Sequence, residues 1–330
     1  LFHYSYILLG DSMLKKIYTR KIMVATLALF ALFLLYLMPN HEKLDYKIKN
    51  TSLEYEYSNQ KEVIYLLDTN GYVARTTIKS ENLDSKETAL DVAKGLIIDG
   101  EKSHIIPNGF RAIIPAGTEI LGLNLENKTL TINFSKDLLN INEKNEEKMI
   151  EAIIYSLTSI EGIDKVTIQV EGKTLENLPH SKKNITFPQD KKYGINKKYD
   201  LTTTSSIESY TVYYVCQQND DQYYVPVTKY INNKGEDKIK IIVDELSTSP
   251  IYETNLMSYL DTNVVLKDYS LEENQLKLNF NEAILSDNNK HILEEVIYTL
   301  GLSMEENYNV KTVMLFVNNQ EIYKIGNLDS

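Results

Sequence analysis

The chain has 330 residues, 43% of them apolar and 25% charged, and its 35 Lys plus Arg against 46 Asp plus Glu leave a net charge of −11. An apolar share of that size excludes wholesale disorder, and the length suggests about two domains. The acidic balance argues against nucleic acid as the partner, because phosphate neutralisation takes a basic face, and a lone cysteine, Cys216, makes neither an internal disulfide nor a thiolate metal cluster.

In chain order, the first feature is an uncharged run over residues 22–38, IMVATLALFALFLLYLM, preceded by Lys15, Lys16, Arg20 and Lys21. As a helix it extends roughly 25 Å, slightly short of the ~20 residues that cross a bilayer core. The long basic stems reach the interface, make up the shortfall and hold residues 1–21 in the cytoplasm. The expectation is a single-pass transmembrane anchor with everything after Pro39 outside. A cleaved signal peptide fits less well, since the run exceeds the usual h-region of about 7–15 residues and PNHEK stands where a small-residue cleavage site belongs. Residues 1–12, ahead of Met13, read as an upstream extension without functional weight. Residues 39–61 are polar and read as a tether.

Beyond the tether, residues 63–172 recur imperfectly at 212–319. Val63-Ile64-Tyr65-Leu66 matches Val212-Tyr213-Tyr214-Val215, LTINFS at 130–135 matches LKLNFN at 276–281, and Ile154-Tyr155-Ser156-Leu157 matches Ile297-Tyr298-Thr299-Leu300. Because the order is kept, domains are placed at 62–178 and 208–326. Each opens with a hairpin, the first turning at Asp68 to Gly71, where Asn70-Gly71 suits positive φ. In the second, Pro226 predicts an edge strand. A helix follows, capped by Asp84 and Glu87, with Ala89, Val92, Ala93 and Leu96 on one face, matched by Ile239, Ile242, Val243 and Leu246. Two alternating strands come next. Then a second helix carries Met149, Ile150, Ile153, Ile154 and Leu157 with Gly162 beyond, or Ile292, Leu293, Val296, Ile297 and Leu300 with Gly301 beyond. A last strand closes each unit. The predicted fold class is α+β: two tandem ββαββαβ two-layer domains, each a mainly antiparallel five-stranded sheet covered on one face by two helices.

Between the copies, residues 179–207 contain three Lys pairs and two Pro and predict a basic, flexible linker. The copies themselves are acidic, with 12 basic and 18 acidic side chains over 63–178 and 9 and 20 over 208–330. No nucleophile elbow, zinc-protease, phosphate-loop or calcium-loop pattern is present, and His104, His180 and His291 lack metal-ligand spacing. The expectation is therefore a protein that is not an enzyme, with no cofactor and no metal. Glu146 with Glu147 and Glu294 with Glu295 point about 100° apart on a helix and read as solvated first turns. Cys216 reads as a small hydrophobe. Tyr210, Tyr213, Tyr214, Tyr223 and Tyr224 crowd one hairpin; they serve either as cross-strand pairs or as an exposed interaction surface, and they are the candidate site.

Both copies resemble GerM domains, the module of bacterial sporulation and spore-germination proteins. The resemblance rests on Ile114-Pro115-Ala116-Gly117-Thr118, LTINFSKDL at 130–138 and EAIIYSLTSIEGIDKVTIQVEGK at 151–173, and more weakly on Tyr224-Val225-Pro226-Val227-Thr228 in the second copy. It implies an extracytoplasmic protein of the space between mother cell and forespore, similar in fold to ring-building modules of sporulation channels. It also implies other sporulation membrane or channel proteins as partners; a homo-oligomer is compatible with it but not implied. No catalytic residues come with the family. The expected role is a membrane-anchored scaffold that helps assemble or tether a channel complex, the alternative being an accessory that binds peptidoglycan or cortex in germination.

Overall fold

The computed structural model describes residues 20, 22–30, 61–79, 84–218, 221–248, 255–286 and 291–326, which fall into two compact units, Leu1–Asn50 and Thr51–Ser330. In the first unit residues 22–30 are helical, with Ile22, Val24, Leu27, Leu29 and Phe30 all exposed. Among the described residues no helix is long and apolar enough to cross a membrane. Residues 31–38 of the expected anchor, the flanking Lys15, Lys16 and Lys21, and the tether up to residue 60 lie outside the described residues; Arg20 is exposed.

In the second unit the first repeat comprises β1 (Lys61–Asp68), β2 (Val73–Lys79), α1 (Ser85–Gly95), β3 (Phe110–Arg111), β4 (Ile120–Glu126), β5 (Thr129–Phe134), α2 (Glu146–Thr158), β6 (Lys165–Val170) and β7 (Lys173–Thr174). A connector strand, β8 (Lys198–Asp200), follows. The second repeat comprises β9 (Ile207–Gln218), β10 (Asp221–Asn232), α3 (Lys238–Ser247), β11 (Leu256–Met257), β12 (Leu266–Glu272), β13 (Gln275–Phe280), α4 (Glu294–Tyr308), β14 (Thr312–Val317) and β15 (Gln320–Gly326).

The local rules behave as sequence chemistry dictates, with instructive departures. Asp84 caps α1 by accepting from the Lys86 and Glu87 N–H groups at 2.9 Å each, and Asp237 caps α3 in the same way. In the first hairpin only Gly71 takes a positive φ, +84°, while the Asp68 carboxylate accepts from Tyr72 N at 2.7 Å. This is a type I turn with a glycine bulge, and it leaves Asn70 in ordinary backbone. The helix faces predicted from spacing are buried in both repeats except at Leu293, which is exposed as the N-cap of α4, one residue before the helix begins. Gly301 does not end α4: the helix runs on to Tyr308 and stops at Asn309 in the left-handed region. A glycine costs only about 1 kcal/mol in a helix interior, less than the burial of Leu302 and Met304 beyond it returns.

The sheet arrangement corrects the five-stranded expectation. The opening hairpin of each repeat does not join the strands that follow it. Instead the two hairpins meet in one seven-stranded sheet of order β11-β9-β10-β2-β1-β3, with β8 pairing on β10. The order is palindromic by repeat: the short strand, then the first strand, then the second, and the same sequence in reverse. The remaining strands of each repeat form separate four-stranded sheets, β4-β5-β6-β7 and β12-β13-β14-β15. In each, the strands on either side of the second helix pair in parallel, as a crossover helix permits. The last strands, β7 and β15, are additions to the predicted set; they follow tight turns at Glu171-Gly172 and Asn318-Asn319, all four residues at positive φ. Helices α1 and α2 pack on β1 of the shared sheet and on the small sheet, and α4 likewise touches β9 and β14.

Candidate functional site

The seam between the repeats gathers a cluster of buried polar groups. Tyr65 on β1 and Tyr213 on β9 share a hydroxyl–hydroxyl hydrogen bond of 2.9 Å across it. Each donates its backbone N–H to a serine of its own repeat's second helix, Ser156 at 2.8 Å and Ser303 at 2.9 Å. Tyr213, not Tyr214, therefore occupies the surroundings of Tyr65. The sequence match was one residue out of register, which in a strand reverses the face a side chain takes. Ser303 also lies one helical turn past Thr299, the sequence partner of Ser156. Asn307, a turn further, bonds both Thr211 N (3.1 Å) and Thr211 O (2.7 Å), so its amide completes the free edge of β9 as a neighbouring strand would.

Direct pairing across the seam is brief, at Tyr224 and Arg75, and the connector fills the gap beside it. Asn196, at φ +45°, bonds Val73 N (2.9 Å), Val73 O (2.8 Å) and Pro226 O (2.7 Å), and its own N–H donates to Glu151 at 3.0 Å. One side chain thus closes the ladder between β2 and β10. This explains Pro226 inside a strand that is not an edge: opposite Tyr213, whose N–H points away from β10, the proline nitrogen faces the gap and owes no hydrogen bond.

The linker is consequently not flexible where it crosses the seam. Ile185 and Ile195 are buried in the first repeat's core, and Tyr155 on α2 donates to Lys191 O at 2.8 Å. Lys191 pairs with Glu306 of α4 at 3.5 Å, and Ile195 N bonds the Thr228 hydroxyl at 2.9 Å. Lys197 lies against Glu147 (2.8 Å) and Glu151 (3.7 Å), with its ammonium 3.5 Å over the Tyr193 ring. The compositional signal of three Lys pairs misled, because Lys183 and Lys197 both pair with Glu147 of α2. Burial pushes the Glu151 carboxyl up to about 7 against the pull of Lys197. At Glu147 burial pulls the same way, but the two lysines outweigh it and hold the carboxyl below its usual value.

The structure moves the tyrosine candidates inside. Tyr210, Tyr213, Tyr214 and Tyr223 are all buried, and Tyr224 is half-buried against Tyr298. They do not form an exposed surface, because β9–β10 is an interior pair covered by α3, α4 and the first repeat. Tyr214 (2.6 Å) and Tyr210 (3.2 Å) donate to Glu245 of α3, which also pairs with Lys229. Burial would raise Glu245, but the Lys229 and tyrosine hydrogen bonds hold it low. Tyr223 donates to the buried Asp68 of the first repeat at 2.9 Å, and Phe110 packs edge-on against its ring. Tyr213, Tyr223 and Tyr224 meet the first repeat across the seam, while Tyr210 and Tyr214 anchor α3 within the second.

Other singled-out residues also find places. Glu146, expected on a wet first turn, is buried and accepts from His180 N (2.7 Å) and Ser181 N (3.0 Å), pinning the connector's start. Glu294 stays exposed. Cys216 is buried, with Asn70 Nδ2 at 3.4 Å, and burial pushes its thiol up. Among the described residues no group of three or more His, Cys, Asp or Glu is placed to hold a metal ion. A concavity on the second small sheet, lined by Asp268, Ser270, Lys277, Asn279, Phe316 and Asn319, is closed by its own bonds from Asn279 to Asp268 (2.8 Å) and Asn319 (2.7 Å).

Residues 63–176 and 211–323 both match the family model described as Germane, sporulation and spore germination. The chain is 32% identical over 263 residues to the spore germination protein GerM of Bacillus subtilis (strain 168), covering 77% of this chain and 70% of that protein. The solved tandem GerMN domains of the sporulation protein GerM from Bacillus subtilis superpose with a TM-score of 0.75 at 28% identity. That match covers 82% of this chain and 98% of the solved one.

Proposed function

The chain belongs to the Germane family of sporulation and spore-germination domains and carries two copies of the domain, and from that premise we propose that it is a non-catalytic, membrane-tethered scaffold that helps assemble or hold a channel complex between mother cell and forespore. The observation that carries this reading is the seam. Two domains that share one seven-stranded sheet, locked by Asn196 and the Tyr65–Tyr213 bond, present their outer surfaces at fixed spacing. Fixed spacing is what a scaffold needs, because binding at one domain then raises the effective concentration at the other without ordering cost. The Tyr65, Tyr213, Ser156, Ser303 and Asn196 side chains at the seam are each engaged in hydrogen bonds within the protein, as structural polar groups are. For the tether, the support is the uncharged run 22–38 behind four basic residues and the exposed apolar side chains of residues 22–30. The domains would then lie outside the cytoplasm.

The test is pull-down from sporulating membranes with the full chain. Recovery of the same integral membrane proteins by wild type, and their loss when residues 22–38 are replaced by a soluble linker, is the expected result. Equal recovery without the segment contradicts tethering, and recovery of no membrane protein contradicts the scaffold.

A further inference from the structure

The connector carries an aromatic pair that the clamp does not require. Tyr199 is 60% exposed, and its ring stacks on that of Tyr230 with centroids 4.8 Å apart and planes 16° from parallel. The two residues are register partners in the parallel β8–β10 pairing. Tyr230 is fixed beneath: its hydroxyl donates to Tyr193 O at 3.4 Å, and Gly194, at φ +81°, makes room for it. A Cβ on Gly194 would stand 2.9 Å from that hydroxyl and 3.1 Å from Thr228 Cγ2. Tyr199 is therefore held from one side and open on the other, so its ordering cost is met in the free protein.

Lys183 is linked to the pair through the connector: it shares Glu147 with Lys197, whose ammonium lies over the Tyr193 ring, and the Tyr193 carbonyl accepts from Tyr230. The Lys183 side chain is 50% exposed and pairs with Glu147, which Lys197 also meets while reaching Glu151 on its other side. In a chain of net charge −11, this connector is a basic stretch by sequence, with six Lys against two Asp. Strand addition by a protein partner is disfavoured, since β8 offers an edge of only three residues. A fixed, open aromatic face on a lysine-bearing connector suits a sugar ring whose C–H face stacks on the phenol while a carboxylate pairs with the lysine.

We propose that Tyr199, backed by Tyr230 and linked to Lys183 through the connector, is a binding platform for a carboxylated glycan. It stands apart from the scaffold role, and either can fail without the other. The test titrates the full chain with an N-acetylglucosamine–N-acetylmuramic acid tetrasaccharide, with tetragalacturonate and with neutral chitotetraose. At least one carboxylated probe binds more tightly than chitotetraose, and the first two arms separate a wall glycan from a uronic-acid polymer. Tyr199→Ala weakens that binding by about tenfold or more, Tyr199→Phe retains it, and Lys183→Gln erases the preference for the charged probe. The substituted residue is exposed, so unchanged melting of Tyr199→Ala shows that the loss is local. Absence of binding by both carboxylated probes, wild-type affinity in Tyr199→Ala, or Tyr199-dependent capture of a protein without glycan binding overturns the proposal.

Discussion

The two repeats share an element order and differ in what their second helices hold. Helix α2 of the first repeat is the seat of the connector: Glu146, Glu147, Glu151 and Tyr155 all engage residues between His180 and Lys197. Helix α4 of the second repeat, two residues longer, instead closes the edge of β9 through Ser303 and Asn307 and meets the connector through Glu306 and Lys191. Duplication supplied two equal frames. Divergence then made one helix a dock for the linker and the other a zipper for the strand, so neither repeat is complete at the seam alone.

That division of labour breaks in graded ways. Asn196→Ala should do the most damage, since it strands Val73 N, Val73 O and Pro226 O together; a loss of about 2–4 kcal/mol is expected by chemical denaturation. The next contrast is in pH. Glu151, raised to about 7 in the folded state, contributes stability that is fully present below its unfolded value and lost as pH rises through about 7. Between pH 5 and 7.5 the wild type should lose on the order of 2 kcal/mol from this group, and Glu151→Gln should flatten that slope. Glu245, held low by Lys229 and two tyrosines, works in the opposite sense: its contribution is present above its unfolded value and lost as pH falls through the folded one. Glu245→Gln should therefore lower stability at neutral pH and leave the alkaline-side slope unchanged, as read by melts across a pH series.

Smaller effects sharpen the comparison. Tyr65→Phe and Tyr213→Phe should each cost about 1 kcal/mol, and the double substitution less than their sum, because the first leaves the partner hydroxyl short of a bond that the second no longer needs. Gly71→Ala, at φ +84°, should cost about 1 kcal/mol in stability while leaving the seam intact.

Sequence periodicity located the helices and the core because both follow from local spacing: Ala89, Val92, Ala93 and Leu96 recur at helical intervals, and all are buried. The pairing of hairpins across repeats was not legible, since strand alternation states which face is covered and says nothing about which strand is the neighbour. For the same reason the tyrosines of β9 and β10 allowed both a wet and a dry reading, and the dry one prevailed once β2 was found beside them. The connector misled because its composition is that of a tether, whereas its conformation is set by two apolar residues, Ile185 and Ile195, and one asparagine among many polar neighbours. A signal for β7 and β15 was present in Glu171-Gly172 and Asn318-Asn319, turn pairs that suit a two-residue hairpin.

The central claim is that the repeats form one body through the shared sheet and its asparagine lock. Spin labels at Glu126→Cys, the exposed end of β4, and Glu273→Cys, an exposed turn position after β12, introduced with Cys216→Ala, report on it directly by pulsed electron resonance. A single narrow distance distribution that broadens on Asn196→Ala is the predicted result; a broad distribution in the protein with Asn196 intact would contradict it.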